Sequence, residues 1–313
     1  MADLAQMLGG GDAEGFLGWP VVASPKGADI VVIGADTATP YASVGSYCAG
    51  GPAAIREGAR TFCDGADRMN FDLDGPVLPE GVRGVDLGDL VVDPNDAEGN
   101  RALIREAVAG VRAAGAVPIV LGGDDSIPIP MIEALADDGP LTILQVDAHI
   151  DWRNEVDGER WGLSSTMRRA SEMGHVERIV QVGARGMGSA RESDFRDALA
   201  WGVAFVTGRE VARDGVQRAI EAVPKGAKFV IAFDCDALDP PEMPAVIGRT
   251  AGGLSYTQAL DLIEGVAARA EIVAVDLVEF MPARDVDGIG GMTAAQLAAA
   301  MAGMIARQRV AGR

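Results

Sequence analysis

Leu141-Thr142-Ile143-Leu144-Gln145-Val146 runs directly into Asp147-Ala148-His149-Ile150-Asp151. The first six residues form a short, largely apolar run, the pattern of a parallel strand buried on both faces. Asp147 then falls at the carboxyl end of that strand, the edge where open α/β sheets bind ligands. On an extended stretch, positions 147, 149 and 151 point the same way. An Asp, a His and an Asp so placed make a metal cradle, although alone they read equally well as a polar loop after a strand.

Outward from this stretch, apolar runs and helical periods alternate. Further strands are predicted at 28–34, 116–121, 177–183, 202–206, 228–233 and 271–277, with a strand or loop at 84–90. Helices are predicted at 53–61, with Pro52 in the first turn, and at 96–114, where Leu103, Ile104, Val108 and Val111 recur at helical spacing before Gly115. Others are predicted at 130–137, 190–200, 209–223, 256–269 and 293–308. Such alternation predicts an α/β fold of three αβα layers, a central mostly parallel sheet with helices on both faces. Residues 1–28 read as an irregular N-terminal arm and 29–313 as a single domain, since no composition shift divides them.

The chain has 313 residues, 48% of them hydrophobic, enough for a large core. Its 46 acidic and 27 basic residues leave a net charge of -19, which argues against nucleic acid or an anionic membrane as partner. A cationic ligand suits that charge, as does plain solubility. Three cysteines in a chain this long give no disulfide framework, so a reducing cytoplasm is the expected compartment. The acidic, glycine-rich N-terminus lacks the basic and apolar regions of a signal peptide, and no apolar run is expected to reach membrane-spanning length. With only His149 and His175, a three-His zinc site is excluded. Any metal must lean on carboxylates, which favours Mg or Mn, with Ni admissible where imidazole joins.

Three predicted strand ends carry acids: Asp124 and Asp125; Asp147 and Asp151 around His149; and Asp234, Asp236 and Asp239. Gathered at one edge they repel one another, and cations must neutralise them. Asp147 and Asp234 are placed to bridge two ions, an arrangement that activates water against an electrophilic carbon. The bland alternative is a set of unrelated acidic turns.

Gly122-Gly123-Asp124-Asp125-Ser126, Asp147-Ala148-His149-Ile150-Asp151 and Asp234-Cys235-Asp236-Ala237-Leu238-Asp239-Pro240, in this order, resemble the ureohydrolase family of arginase and agmatinase. Gly51-Pro52-Ala53-Ala54-Ile55-Arg56, Asp86-Leu87-Gly88-Asp89 and Val182-Gly183-Ala184-Arg185-Gly186 look like agmatinase-type segments, and the likeness runs from about 28 to about 308. The resemblance implies a catalytic domain that hydrolyses a guanidino compound to urea and an amine with two divalent ions, usually Mn. It implies Asp147, His149, Asp151, Asp234 and Asp236 as metal ligands, with Asp147 and Asp234 bridging. Glu279 matches the carboxylate that holds the substrate guanidinium through paired hydrogen bonds, so Asp151 and Glu279 are the candidate catalytic residues.

Two positions depart from the family pattern. Asp125 stands where the first motif normally has His; as an oxygen ligand it makes one ion's shell nearly all carboxylate. Trp161-Gly162 stands in place of a His-Gly pair, and Trp161 is a candidate to wall a smaller pocket or stack on a planar guanidinium. Agmatine is the default substrate; guanidinobutyrate, guanidine, guanylurea or a biguanide fit the departures. No residue set in the loops reads as a selector. The rival reading, motivated by Asp125 and Trp161, is an inactive subunit that structures or regulates an active homologue in a hetero-oligomer. The resemblance implies a homo-oligomer, trimer or hexamer. His175 reads as a surface residue, Cys235 as a small core residue turned away from the ligands, and Met292, Met301 and Met304 as packing.

Overall fold

Each apolar run becomes a strand in the computed structural model, which describes residues 15–63, 68–188 and 190–312. The strands are β1 (Ile30–Ala35), β2 (Gly84–Asp89), β3 (Val117–Gly122), β4 (Leu141–Val146), β5 (Val176–Val182), β6 (Ala204–Val206), β7 (Lys228–Asp234) and β8 (Glu271–Val278). Together they form one sheet in the order β2-β1-β3-β8-β7-β4-β5-β6, with every neighbouring pair parallel. The expected boundaries hold to within two residues, and 84–90 resolves as a strand.

That order positions the site. The chain leaves β3, crosses to β4 on the far side, and returns later to insert β7 and β8 between them. The middle of the sheet therefore reads β3-β8-β7-β4, and the acids predicted at three strand ends share one carboxyl edge. Ligands of open parallel sheets bind where the strand order reverses in this way.

Two apolar layers flank the sheet. One packs α1 (Gly51–Arg60), α6 (Gly208–Asp214), α7 (Gln217–Ala222), α8 (Tyr256–Ala267) and α9 (Ile289–Ala311) against Leu144, Val146, Phe229 and Ile231. The other packs α2 (Ala97–Ala113), α3 (Pro128–Glu133), α4 (Thr166–Ser171) and α5 (Glu192–Trp201) against Ile33, Leu141, Ile143 and Val230. Alternate residues of β4 serve opposite layers, as the pleat requires.

Several expectations need correction. The helix expected at 209–223 is two, because Gly215 takes a positive φ of 76° with an extended ψ, which ends α6. The helix expected at 130–137 ends at Glu133. The last helix starts four residues early, at Ile289, since its glycines allow close packing: a Cβ on Gly58 of α1 would lie 2.3 Å from the Gly291 carbonyl oxygen. Contrary to expectation, α9 is long and apolar enough to cross a membrane, but most of it is buried in the core.

Residues 1–14 of the expected arm lie outside the described residues. From Gly15 onward the arm is held by Asp86 of β2, which accepts the Phe16 N–H (2.8 Å). Asp86 also takes Arg56 Nε (2.7 Å) and Nη2 (2.9 Å), and Arg56 Nη1 reaches Asp89 (2.5 Å). Two of the agmatinase-type segments thus join α1, β2 and the arm through one ion-pair cluster.

Candidate active site

At the end of β4 the backbone leaves the pleat. Asp147 Oδ1 accepts the His149 N–H (2.6 Å), which closes a turn and sets Asp147 and His149 side by side. The end of β7 repeats the device: Asp234 Oδ1 accepts the Asp236 N–H (2.6 Å), and residues 235–237 form a 3-10 turn. The period-2 spacing of these motifs therefore arises from carboxylate-capped turns, not from strand alternation. Asp151 follows with a positive φ of 42°, and Glu279, just past β8, with 64°. Both are non-glycine residues in a region that strains the backbone.

The two turns face each other across the sheet. Asp236 Oδ1 accepts the Ala148 N–H (3.1 Å), while Asp236 Oδ2 lies 3.1 Å and Asp147 Oδ1 3.4 Å from His149 Nδ1. Arg185 fastens the loop after β7 from below, donating to the carbonyls of Asp236 (2.7 Å), Ala237 (3.2 Å) and Thr250 (2.8 Å).

Two ligand triads result. Asp147, His149 and Asp236 offer one set of donor atoms within 4.8 Å of one another, and Asp125, Asp147 and Asp151 offer another. Asp147 belongs to both. Asp234 lines the same cavity, of about 230 Å³, with Asp125, His149, Asp151, Asp236 and Glu279. A cation with oxygen ligands at about 2.0–2.2 Å spans about 4 Å between opposite donors, so each triad has the size of an ion's shell.

The electrostatics ask for the same ions. Burial and then the charges of neighbouring acids push Asp125, Asp151 and Asp234 well above the carboxylate range. Asp125 Oδ2 is buried without a hydrogen-bond partner. His149 is lowered by burial but raised more by Asp147 and Asp236, which push it up to about 12. Buried acids without compensation are costly. Divalent cations at both triads would supply the missing charge, and the donor set fits them.

Glu279 faces the triads. Its Oε1 accepts the Tyr47 hydroxyl (2.5 Å) and the Asp125 N–H (2.9 Å), and no described residue hydrogen-bonds its Oε2. Burial pushes its carboxyl up to about 8. Behind the second triad, Gln145 Nε2 donates to Asp147 Oδ2 (2.7 Å) and Asp151 Oδ2 (2.7 Å). Gln181 on β5 donates to Gln145 Oε1 and to the Ile150 carbonyl (2.7 Å), which fixes the orientation of the Gln145 amide.

Of the residues selected from sequence, Asp125, Asp147, His149, Asp151, Asp234, Asp236 and Glu279 converge. Trp161 is not among the cavity-lining residues; its ring lies under the Arg101 guanidinium, 5.3 Å away. Asp124 and Asp239 serve the scaffold. Asp124 takes hydrogen bonds from Thr37 and Ser126, and Asp239 Oδ1 takes those of Gly252 (2.7 Å) and Gly253 (2.9 Å). His175 is half-buried rather than on the surface, with Nε2 2.9 Å from the Ile132 carbonyl. Cys235 is buried outside the cavity lining. Sequence reasoning missed Tyr47, Gln145, Gln181 and Arg153. The one visible signal was a polar residue at matching positions of two buried strands, Gln145 and Gln181, paired in register.

An acidic, cation-ready cleft at the strand-order reversal of a parallel α/β sheet is a site at which metal-assisted hydrolysis can be built. The chain belongs to the arginase family, whose model it matches over residues 28–303. It is 31% identical over 294 residues to the mitochondrial guanidino acid hydrolase of Homo sapiens, covering 89% of this chain and 78% of that one. It is 38% identical over 204 residues to the N(1)-aminopropylagmatine ureohydrolase of Thermus thermophilus, covering 64% and 67%. Its fold matches that of proclavaminate amidino hydrolase from Streptomyces clavuligerus with a TM-score of 0.78 and 27% identity, covering 94% of this chain and 97% of that one. It is an arginase-family hydrolase.

Proposed function

We propose that this chain uses two divalent cations to hydrolyse a small guanidino compound to urea and an amine. The observation that carries the reading is the pair of ligand triads sharing Asp147, set opposite Glu279 in one cavity. Asp125, Asp147 and Asp151 would hold one ion and Asp147, His149 and Asp236 the other, with Asp234 a further carboxylate of the same cavity. Carboxylates with a single imidazole favour Mn, with Ni the alternative. When bound, such a pair polarises water for attack on an electrophilic carbon.

The chain's own residues do the rest. Tyr47 and the Asp125 N–H hold Glu279 Oε1, so Glu279 presents Oε2 to the guanidinium and aligns its carbon with the triads. Water adds to that carbon, the C–N bond to the substrate chain breaks, and the departing nitrogen takes a proton. Asp151, fixed by Gln145, is the carboxyl that passes the proton. The acids favour a cationic substrate, and an assembly of several copies is part of the proposal. The test is a urea-release screen over guanidino compounds, run with Mn and with Ni. Urea from at least one compound, dependent on added metal, supports the reading. A chain that binds no metal and releases no urea refutes it and favours the inactive-subunit alternative.

A further inference from the structure

Tyr47 stands on the loop between β1 and α1, and that loop is pinned on both sides of it. Asp36 Oδ1 accepts the Gly50 N–H (2.8 Å), and the Thr39 N–H donates to Ser126 Oγ (2.7 Å). Tyr47 lines the cavity together with Glu279 and donates its hydroxyl to Glu279 Oε1 (2.5 Å). The Asp125 N–H donates to the same oxygen (2.9 Å). Both lone-pair sites of Oε1 are then committed. Glu279 keeps one free oxygen, Oε2, where a guanidinium fork needs two acceptors. Among the described residues none donates to the Tyr47 oxygen, so the phenol has spent its one hydrogen and kept its acceptor capacity. Burial, and then the charge of Glu279, push its ionisation above the usual phenol range, so the hydroxyl keeps that hydrogen.

Resting on the hydrolase reading above, we infer that Tyr47 binds the substrate directly, its phenol oxygen and Glu279 Oε2 being the two acceptors that grip the guanidinium. A guanidinium offers N–H donors on adjacent nitrogens in one plane and gives two of them in parallel. Glu279 Oε2 takes one and carries the charge. The Tyr47 oxygen takes the other and is neutral. Its hydrogen is tied to Oε1, so the oxygen can only accept from the cavity side. Donation to a carboxylate also makes the phenol a better acceptor, because hydrogen bonds in a chain polarise one another. Both gripped nitrogens must carry hydrogens, so the site suits a guanidino group left unsubstituted at the end that becomes urea.

The test is Tyr47→Phe on the Mn-loaded chain, assayed with the guanidino compound that releases urea fastest, starting from agmatine, 4-guanidinobutyrate and guanidine. Losing one acceptor for a charged donor should raise KM, and lower kcat/KM, roughly 10- to 100-fold, with both ions still bound. KM does not depend on how much of the chain is folded, so a partial loss of fold cannot imitate this result. The same change in a Glu279→Gln background separates contact from positioning. A tyrosine that touches the substrate still raises KM at least several-fold there. One that acts only by holding Glu279 has little further effect once that charge is gone. An unchanged KM in Tyr47→Phe, or a rise that vanishes in the Glu279→Gln background, overturns the substrate contact while leaving the hydrolase reading intact. Urea from none of these nor any other guanidino compound overturns that reading itself, and the inference with it.

Discussion

Replacing Gln145 with Leu removes the amide that Asp147 and Asp151 share and keeps most of its bulk. In the native chain both carboxylates accept from the same Nε2 at 2.7 Å, and Gln181 holds that amide in place. A hydrogen bond to a charged group contributes roughly 1.5–3 kcal/mol. Two consequences compete. Without cations, losing the shared donor leaves two buried carboxylates facing each other, which destabilises the fold. With cations bound, the ions replace that positive charge, and the remaining loss is ligand orientation. Outer partners of metal ligands typically account for about 10–100-fold in affinity, or about 1.4–2.7 kcal/mol. Mn affinity should therefore fall by about that factor, while the Mn-saturated variant melts close to wild type. Gln181→Leu should move affinity the same way by less, because it acts through Gln145. Equilibrium dialysis against Mn gives the affinity, and circular-dichroism melts at saturating Mn confirm the fold. An unchanged Mn affinity in a folded Gln145→Leu chain would refute the idea that this amide orients the ligands.

Asp125→His replaces a buried carboxylate with an imidazole and should shift the Mn-to-Ni preference more than it changes folding; identical metal content and rates with both metals would show that Asp125 does not coordinate. Glu279→Gln keeps an acceptor for Tyr47 and Asp125 but loses the charge, so kcat/KM should drop roughly 10–100-fold with both ions still bound. Wild-type turnover in that variant rules out its guanidinium role. Asp86→Ala leaves the Arg56 guanidinium, which is 12% exposed, with Asp89 alone and should cost about 1.5–3 kcal/mol in urea denaturation. A loss below about 1 kcal/mol would mean the cluster is not holding the arm.

The sheet was legible because parallel strands buried on both faces appear as unbroken apolar runs, as in Ile30–Ala35 and Leu141–Val146. The candidate ligands were legible because each follows such a run within a few residues. The cause of their spacing was not: a strand pleat and an aspartate-capped turn both bring residues two apart to one side, and only the Asp147-to-His149 and Asp234-to-Asp236 hydrogen bonds tell them apart. Contacts between distant segments left no trace in the sequence. Tyr47 meets Glu279 across 232 residues, and Trp161 meets Arg101 of α2 instead of the cavity. Gln145 looked like an incidental polar residue until its register partner, Gln181, was known.

The central claim is that paired cations on the shared Asp147 cluster power urea release. Its most direct test is to titrate Mn into the metal-free chain and record bound Mn per chain and the rate of urea release from the best guanidino substrate together. Two ions should bind per chain, with the rate rising as the second site fills. Urea release at full rate with no bound metal, or two bound ions with no urea from any guanidino compound, would contradict it.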